Sequence, residues 1–249
     1  MNIKSILLSL VALLFLWSIA AIILNSNLLP PPWIVLNIFF TDLFRGLGWH
    51  ILVSTERIAV SIILATLIGM PLGFILGQFK KWDKFLYPLI YTTYPIPKIA
   101  LLPIIFLFLG IGDISKIFLI TLILFFQVLV IVRDASKNIP AQLILSLRSI
   151  GANQLQLLKY AYFPACLPAT LTSLRLNIAI AIAVLYLAES FATAAGLGFY
   201  IMDAWQQLAY DKMYAGVLAM SLLGAVAFMV LAVAEKKFCR WTQTGKEFV

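Results

Sequence analysis

The sequence predicts an all-α membrane protein with six transmembrane helices and both termini on the cytoplasmic side. Composition comes first: 63% of the 249 residues are hydrophobic and 11% are charged, with a mean hydropathy of +1.04. Globular chains carry about 45–50% apolar and about 25% charged residues because their surfaces face water. With that charge halved, most of the surface must face lipid. The second observation is the recurrence of apolar runs near the ~20 residues a spanning helix needs. The third is the one-sided distribution of Lys and Arg between these runs.

The spans fall at roughly Ile6–Leu24, Leu52–Gly77, Phe85–Leu109, Ile114–Val132, Ala169–Ala194 and Tyr214–Phe238. The first follows Lys4 and resembles a signal peptide, but Asn25-Ser26-Asn27 is not a small-residue cleavage site, so it reads as a span. The third is interrupted by Pro95, Pro97 and Pro103. Breakers at membrane depth are tolerated where neighbouring helices or an aqueous cavity satisfy the freed backbone. This span is therefore a candidate for lining a transport path, and equally for a plain packing kink. With the N-terminus inside, the cytoplasm receives Lys4, Lys80, Lys81, Lys84, Arg133, Lys137, Arg148, Lys159, Lys236, Lys237, Arg240 and Lys246, which is 12 of the 18 basic residues. Arg45, Lys116 and Lys212 fall outside, and Arg57, Lys98 and Arg175 lie in or beside spans. The formal charge of +8 is thus an inside-loop charge and not a nucleic-acid surface. Two outer segments read as interfacial: Ile34 to Trp49, behind Pro30-Pro31-Pro32-Trp33, and Gly196 to Tyr210, with Tyr200, Trp205 and Tyr210.

The longest inner connection, Asp134 to Pro168, has its own helical pattern. Pro140 suits a first helical turn. A short helix Ala141 to Ser149 ends before Gly151, a residue suited to a left-handed C-terminal position. Asn153 can cap a second helix reaching about Tyr162, and Pro164 and Pro168 are expected to stop it before the fifth span. Leu143, Leu147 and Ile150 share one face of the first helix; Leu155, Leu158 and Tyr162 share one face of the second. An apolar, folded loop must be covered by the protein's own helix ends, the bilayer surface or a partner protein.

These residues carry a family resemblance. Leu145-Ser146-Leu147-Arg148-Ser149-Ile150-Gly151-Ala152, followed by Phe163-Pro164-Ala165-Cys166-Leu167-Pro168, resembles the cytoplasmic coupling loop of binding-protein-dependent ABC importer permeases. Leu29-Pro30-Pro31-Pro32-Trp33-Ile34-Val35, Gly69-Met70-Pro71-Leu72-Gly73 and the Pro-rich stretch Tyr94 to Pro103 are similar to further motifs of that family. So are Phe108 to Asp113, Leu187-Ala188-Glu189-Ser190 and Gly196-Leu197-Gly198. Order and spacing carry the resemblance, across about residues 29 to 240, and the subgroup is the one handling nitrate, sulfonates, taurine and bicarbonate. One departure stands out: Leu145 replaces the family's Glu, and Ser146-Leu147 its Ala-Ala.

The resemblance implies a type I ABC importer permease fold in a bacterial inner membrane. It implies a second copy of the chain as a homodimer, ATP-binding-cassette ATPase subunits, a periplasmic or lipid-anchored solute-binding protein, and membrane lipid around the whole. ATP and magnesium are then expected on the partner ATPase, with no cofactor, metal or catalytic residue in this chain. No Gly-x-x-x-x-Gly-Lys-[Ser/Thr] occurs; Arg240 stands where Gly245-Lys246 would need the first Gly. The expected ATPase-coupling residues are Leu143, Leu145, Leu147, Arg148, Ile150, Gly151, Ala152, Leu155, Leu158, Pro164 and Pro168. The chain then divides into an N-terminal helix 1–28, an outer interfacial segment 29–51, a core domain 52–240 containing the coupling loop 134–168, and a cytoplasmic tail 241–249.

Ionisable residues within spans are functional candidates because charge in lipid is costly. Glu189 suits an outer gate, a pair with Arg57 or Arg175, or an approach to the interface. Arg57 can snorkel outward or offer charge to an anion. Lys98, between Pro95, Pro97 and Pro103, suits an anion path or a local structural partner. His50 has no metal-ligand spacing around it, and Cys166 and Cys239 read as inert thiols. One His and two isolated Cys leave an enzyme without a catalytic constellation. A secondary transporter or channel would need intramembrane acids beyond Glu56 and Glu189. A vitamin or precursor importer of the same class is not separable by sequence from an anion importer.

Overall fold

Proline, glycine and the ends of apolar runs decide where the helices begin and end. The computed structural model describes residues 3–24, 26–191 and 193–242, and among them it is helical without a strand. The α-helices are α1 (Ile3–Leu24), α2 (Pro32–Asp42), α3 (Gly48–Gln78), α4 (Lys80–Thr93), α5 (Leu102–Leu109), α6 (Asp113–Lys137), α7 (Ala141–Ser149), α8 (Gln154–Leu157), α9 (Phe163–Ser190), α10 (Leu197–Gln206) and α11 (Tyr210–Phe238). Four described stretches are long and apolar enough to cross a membrane: Pro32–Gln78, Asp113–Lys137, Gln154–Ser190 and Tyr210–Phe238. A bent pair makes a fifth. Helix α1 covers the first expected span. Lys246 and most of the expected tail 241–249 lie outside the described residues.

Four expectations need correction. The third span is not one crossing helix: α4 and the segment Lys98–Leu109 meet at 82°. Pro95 and Pro97 each remove a backbone donor there, and the chain turns before a short 3₁₀ stretch, Lys98–Leu101. The second helical run starts earlier than Leu52, because residues 32–47 are helical too, with a kink at Gly46 separating them from α3. Pro164 and Pro168 do not stop the second loop helix. A π turn, Leu158–Tyr162, carries it straight into α9, and the Phe163 N–H bonds back to the Leu158 carbonyl. Pro164 directly follows the π turn, whose shifted hydrogen bonds accommodate the missing N–H, and Pro168 is carried inside the helix. Finally, α9 ends at Ser190 rather than Ala194, ahead of Gly196, whose φ is 115°.

The chain folds as two units interleaved in sequence. The first comprises Met1–Thr55 and Tyr186–Leu223, the second Glu56–Leu185 and Gly224–Val249. In the first unit the Trp17 indole donates to the Pro30 carbonyl at 3.1 Å, and its ring lies 6.1 Å from that of Tyr214. Val35, Leu47, Leu197 and Ala215 are fully buried. The Tyr200 hydroxyl donates to Asp42 at 2.9 Å; burial and that carboxylate push the phenol well above its usual range.

In the second unit α6 buries Leu119, Ile120, Leu124, Val128 and Val132. Against it, α3 presents Gly69, Gly73 and Gly77, one per turn. A Cβ at these positions would come 3.1 Å from Val128, 2.7 Å from Val132 and 2.6 Å from Ser136. Small residues at such spacing let helix backbones approach closely, which is how membrane helices gain packing when lipid offers no hydrophobic drive. At one end of this pair Arg133 donates to both Asp83 oxygens (2.6 and 2.9 Å) and to Asp134 (2.7 Å), with its guanidinium 3.5 Å from the Tyr87 ring centre. The residue read as an inside-loop charge is therefore also a staple between α4 and α6.

Candidate functional site

The loop between α6 and α9 is built from capped helix ends. Helix α7 closes with the Ala152 N–H bonded to the Leu147 carbonyl and the Gly151 N–H bonded to that of Arg148. This is the paired closure that a left-handed residue after the helix permits, and Gly151 supplies it with φ 86°. Helix α8 opens with a reciprocal cap: Asn153 Oδ1 accepts the Gln156 N–H at 2.9 Å, and Gln156 Oε1 accepts the Asn153 N–H at 2.8 Å. Sequence reading placed Asn153 but missed Gln156, although polar residues three apart before an apolar run are a capping signal. With both ends satisfied, the loop is a fixed pair of short helices.

Its apolar residues divide between inside and outside. Leu157 is buried, and the Tyr162 ring packs 6.4 Å from that of Phe74. Leu143 and Leu158 are about half exposed, while Leu145, Ile150 and Leu155 are 64%, 80% and 76% exposed. Arg148 is exposed; Leu147, Ala152, Pro164 and Pro168 are half-buried. Leu145, expected as the motif's odd residue, thus stands outward, and Leu147 turns partly inward. A cleft of about 380 Å³ opens beside them, lined by Phe74, Gln78, Arg148, Leu155, Leu158 and Tyr162. The loop offers a rigid, apolar, basic surface.

The intramembrane ionisable residues fall into separate settings. Arg57 is buried and donates to Asp113, through Nε at 2.9 Å and also through Nη2. Arg175 pairs with Glu235 at 3.2 Å, and Glu235 also accepts from Thr172. Glu189 is fully buried. Its carboxylate accepts from the Ser54 hydroxyl at 2.8 and 2.9 Å and from the Gly198 N–H at 2.9 Å, while the Leu197 N–H donates to Ser54. An acid at the start of α10 complements the unpaired N–H groups of that helix end, so Glu189 ties α9 to α10. His50 accepts the Gly196 N–H at 3.1 Å, a structural role missed in the sequence. Lys116, counted among the outer-loop charges, is buried with its ammonium 3.3 Å from the Gly112 carbonyl. Cys166 and Cys239 are buried thiols. Among the described residues no group of three His, Cys, Asp or Glu is arranged to hold a metal.

Lys98 sits at the bend. In a continuous helix its N–H would bond to the Tyr94 carbonyl. Instead its ammonium reaches that oxygen at 2.8 Å, with the Thr93 and Ile96 carbonyls at 3.4 Å. It also lies 4.6 Å from the Phe126 ring centre. Pro95 and Pro97 create the exposed carbonyls, and Lys98 covers them.

The model of the family described as "binding-protein-dependent transport system inner membrane component" matches residues 69–239. The chain belongs to this family. Among its relatives, the taurine transport system permease of Escherichia coli K12 is 31% identical, over 90% of this chain and 84% of its own length. A putative aliphatic sulfonates transport permease of Bacillus subtilis is 28% identical over 88% and 80%. A formylaminopyrimidine transport permease of Halalkalibacterium halodurans is 26% identical over 92% of each. Among solved structures, an inward-facing MetNI methionine ABC transporter chain superposes with TM-score 0.61 at 20% identity, covering 80% of this chain and 97% of that one, a likeness of fold. This inner-membrane component is a multi-pass permease subunit of an ATP-binding-cassette importer.

Proposed function

We propose that the permease carries a small sulfonate-type anion, delivered by an external solute-binding protein. In this reading two copies enclose the path, each with six spans (α1, α3, the bent α4–α5 pair, α6, α9 and α11) and both termini in the cytoplasm. A separate ATPase, holding ATP and magnesium, docks on α7 and α8. The observation that carries the docking is the exposed row Leu143, Leu145, Ile150 and Leu155 on a loop where the C-terminus of α7 and the N-terminus of α8 are both capped. A rigid apolar surface transmits a push; a floppy one dissipates it. Closure of the ATPase pair then moves α7–α8 as one body and rocks the attached spans between inward-open and outward-open states. The named solutes of the taurine and sulfonate relatives support the substrate class.

The test is ATP-dependent uptake by proteoliposomes containing the permease, its ATPase and its binding protein. Taurine and ethanesulfonate are expected to accumulate. Accumulation of formylaminopyrimidine with neither sulfonate would overturn the substrate reading. Changing Leu143, Leu145 and Ile150 together to Ser is expected to remove the ATPase from the purified permease; retention at full stoichiometry would overturn the docking site.

A further inference from the structure

The bend between α4 and α5 holds an uncompensated charge. Asp83, Asp113 and Glu235 each pair with a basic residue of the second unit. Lys98 makes no ion pair among the described residues; its partners are three carbonyls and two aromatic rings. Carbonyl dipoles satisfy an ammonium's donors without cancelling its charge, and a cation left uncancelled at membrane depth is costly. The depth follows from helix geometry. At about 1.5 Å per residue, Tyr94 lies ~21 Å along α4 from Lys80, while Gln127 lies ~21 Å along α6 from Asp113 and ~15 Å from Lys137. Tyr94 and Gln127 meet there, the phenol donating to the amide oxygen at 2.8 Å. Tyr94 is 38% exposed, and Lys98 and Gln127 are half-buried. The Gln127 amide nitrogen has no acceptor among the described residues.

Capping explains why a donor stands at position 98, but not why a charged one does, nor why a polar pair stands beside it on an accessible face. Lipid is a poor neighbour for all three groups. We propose that Lys98, with Gln127 and Tyr94, forms a mid-membrane contact site for the transported anion. The ammonium and the Gln127 amide donate to its sulfonate or carboxylate oxygens. Two of the ammonium's three carbonyl contacts are long, at 3.4 Å, so the anion can displace them while the 2.8 Å bond to Tyr94 keeps the bend capped.

This rests on the anion reading above, and two measurements separate the two. The first needs no known solute. In a Cys166→Ser/Cys239→Ser background, Lys98→Cys is exposed to a charged, membrane-impermeant sulfonatoethyl thiosulfonate in the assembled transporter. Modification is expected, because the site faces water; a thiol that stays unmodified in both nucleotide-free and ATP-bound states overturns the proposal. The second is uptake of ethanesulfonate. Lys98→Gln retains a hydrogen-bond donor but no charge, and loss of one charge-assisted contact predicts a fall in kcat/KM of roughly tenfold or more. Lys98→Arg, which keeps the positive charge, is expected to retain more transport than Lys98→Gln. Equal loss in Gln and Arg variants would show a cap of fixed shape rather than an anion contact, and full activity in Lys98→Gln would also overturn it. If Lys98→Gln does not fold, Gln127→Leu, which leaves the cap in place, carries the same sign of effect. A wild type that moves no sulfonate refutes the substrate class, and the labelling result still decides whether Lys98 faces the path.

Discussion

At Gly151 the only obstacle to a side chain is backbone conformation. Nothing lies within 4 Å of a Cβ built there, and φ is 86°. At Gly198 the obstacle is steric: a Cβ would sit 2.6 Å from that of Glu189. The two glycines therefore fail differently. An L-residue in the left-handed region costs roughly 1–2 kcal/mol, and a β-branched one more, so Gly151→Val is expected to undo the paired closure of α7 while sparing the spans. The expected result is ATP hydrolysis close to wild type with solute moved per ATP down by about tenfold, a coupling loss rather than a folding loss, since a strain of that size is small beside a domain's stability. Parallel measurement of uptake and phosphate release checks it. Gly151 was readable from sequence because a glycine just past a periodic run names its own backbone state. Lys98 was only half readable. Its chemistry was plain, but its acceptors are carbonyls that become free only because the chain bends, and no side-chain pattern announces them.

At the scale of elements, the close approach of α3 and α6 is set by three glycines meeting Val128, Val132 and Ser136. Gly73, the middle one, is a direct test, because the Cβ of an added side chain would face the Val132 Cβ at 2.7 Å and the Leu129 carbonyl at 2.9 Å. Neither is the free end of a flexible chain, so the helices must separate. Overpacking of this kind costs about 1–3 kcal/mol. Gly73→Val is expected to lower the detergent melting temperature by several degrees and to release the α4–α6 staple at Asp83 toward faster amide exchange; an unchanged melting temperature would mean that the seam yields. Helix positions were largely legible because apolar run length fixes them. Helix continuity was not. Pro95 and Pro97 break a helix where Pro71, Pro88 and Pro168 are carried inside one, and Pro164 follows a π turn, Leu158–Tyr162, that rearranges the hydrogen bonds ahead of α9. Proline counting carries no information about that turn. The same limit hid the Arg133–Asp83 pair, fifty residues apart in sequence.

For the whole molecule, the proposed docking of the ATPase on the α6–α9 connection makes the charge pattern of that connection the feature to test. Between Ser136 and Ala188 the chain carries Lys137, Arg148, Lys159 and Arg175 and no acid, and Leu145 stands 64% exposed where relatives of the same motif are expected to carry Glu. If docking is apolar here, restoring the family residue harms it. Leu145→Glu would place a carboxylate against a surface shaped for a leucine, and burying an unpaired charge in an interface costs several kcal/mol unless it is neutralised. The exposed position in the free permease means that the variant pays no such penalty before assembly, so its expression, melting temperature and detergent monodispersity are expected to match wild type. Co-purifying ATPase is expected to fall by more than tenfold, and Leu145→Met to keep it, since shape and polarity are nearly conserved. Stronger ATPase binding by Leu145→Glu would show instead that the partner offers a basic pocket at this point, and that the surface is a weakened version of a polar contact rather than an apolar one.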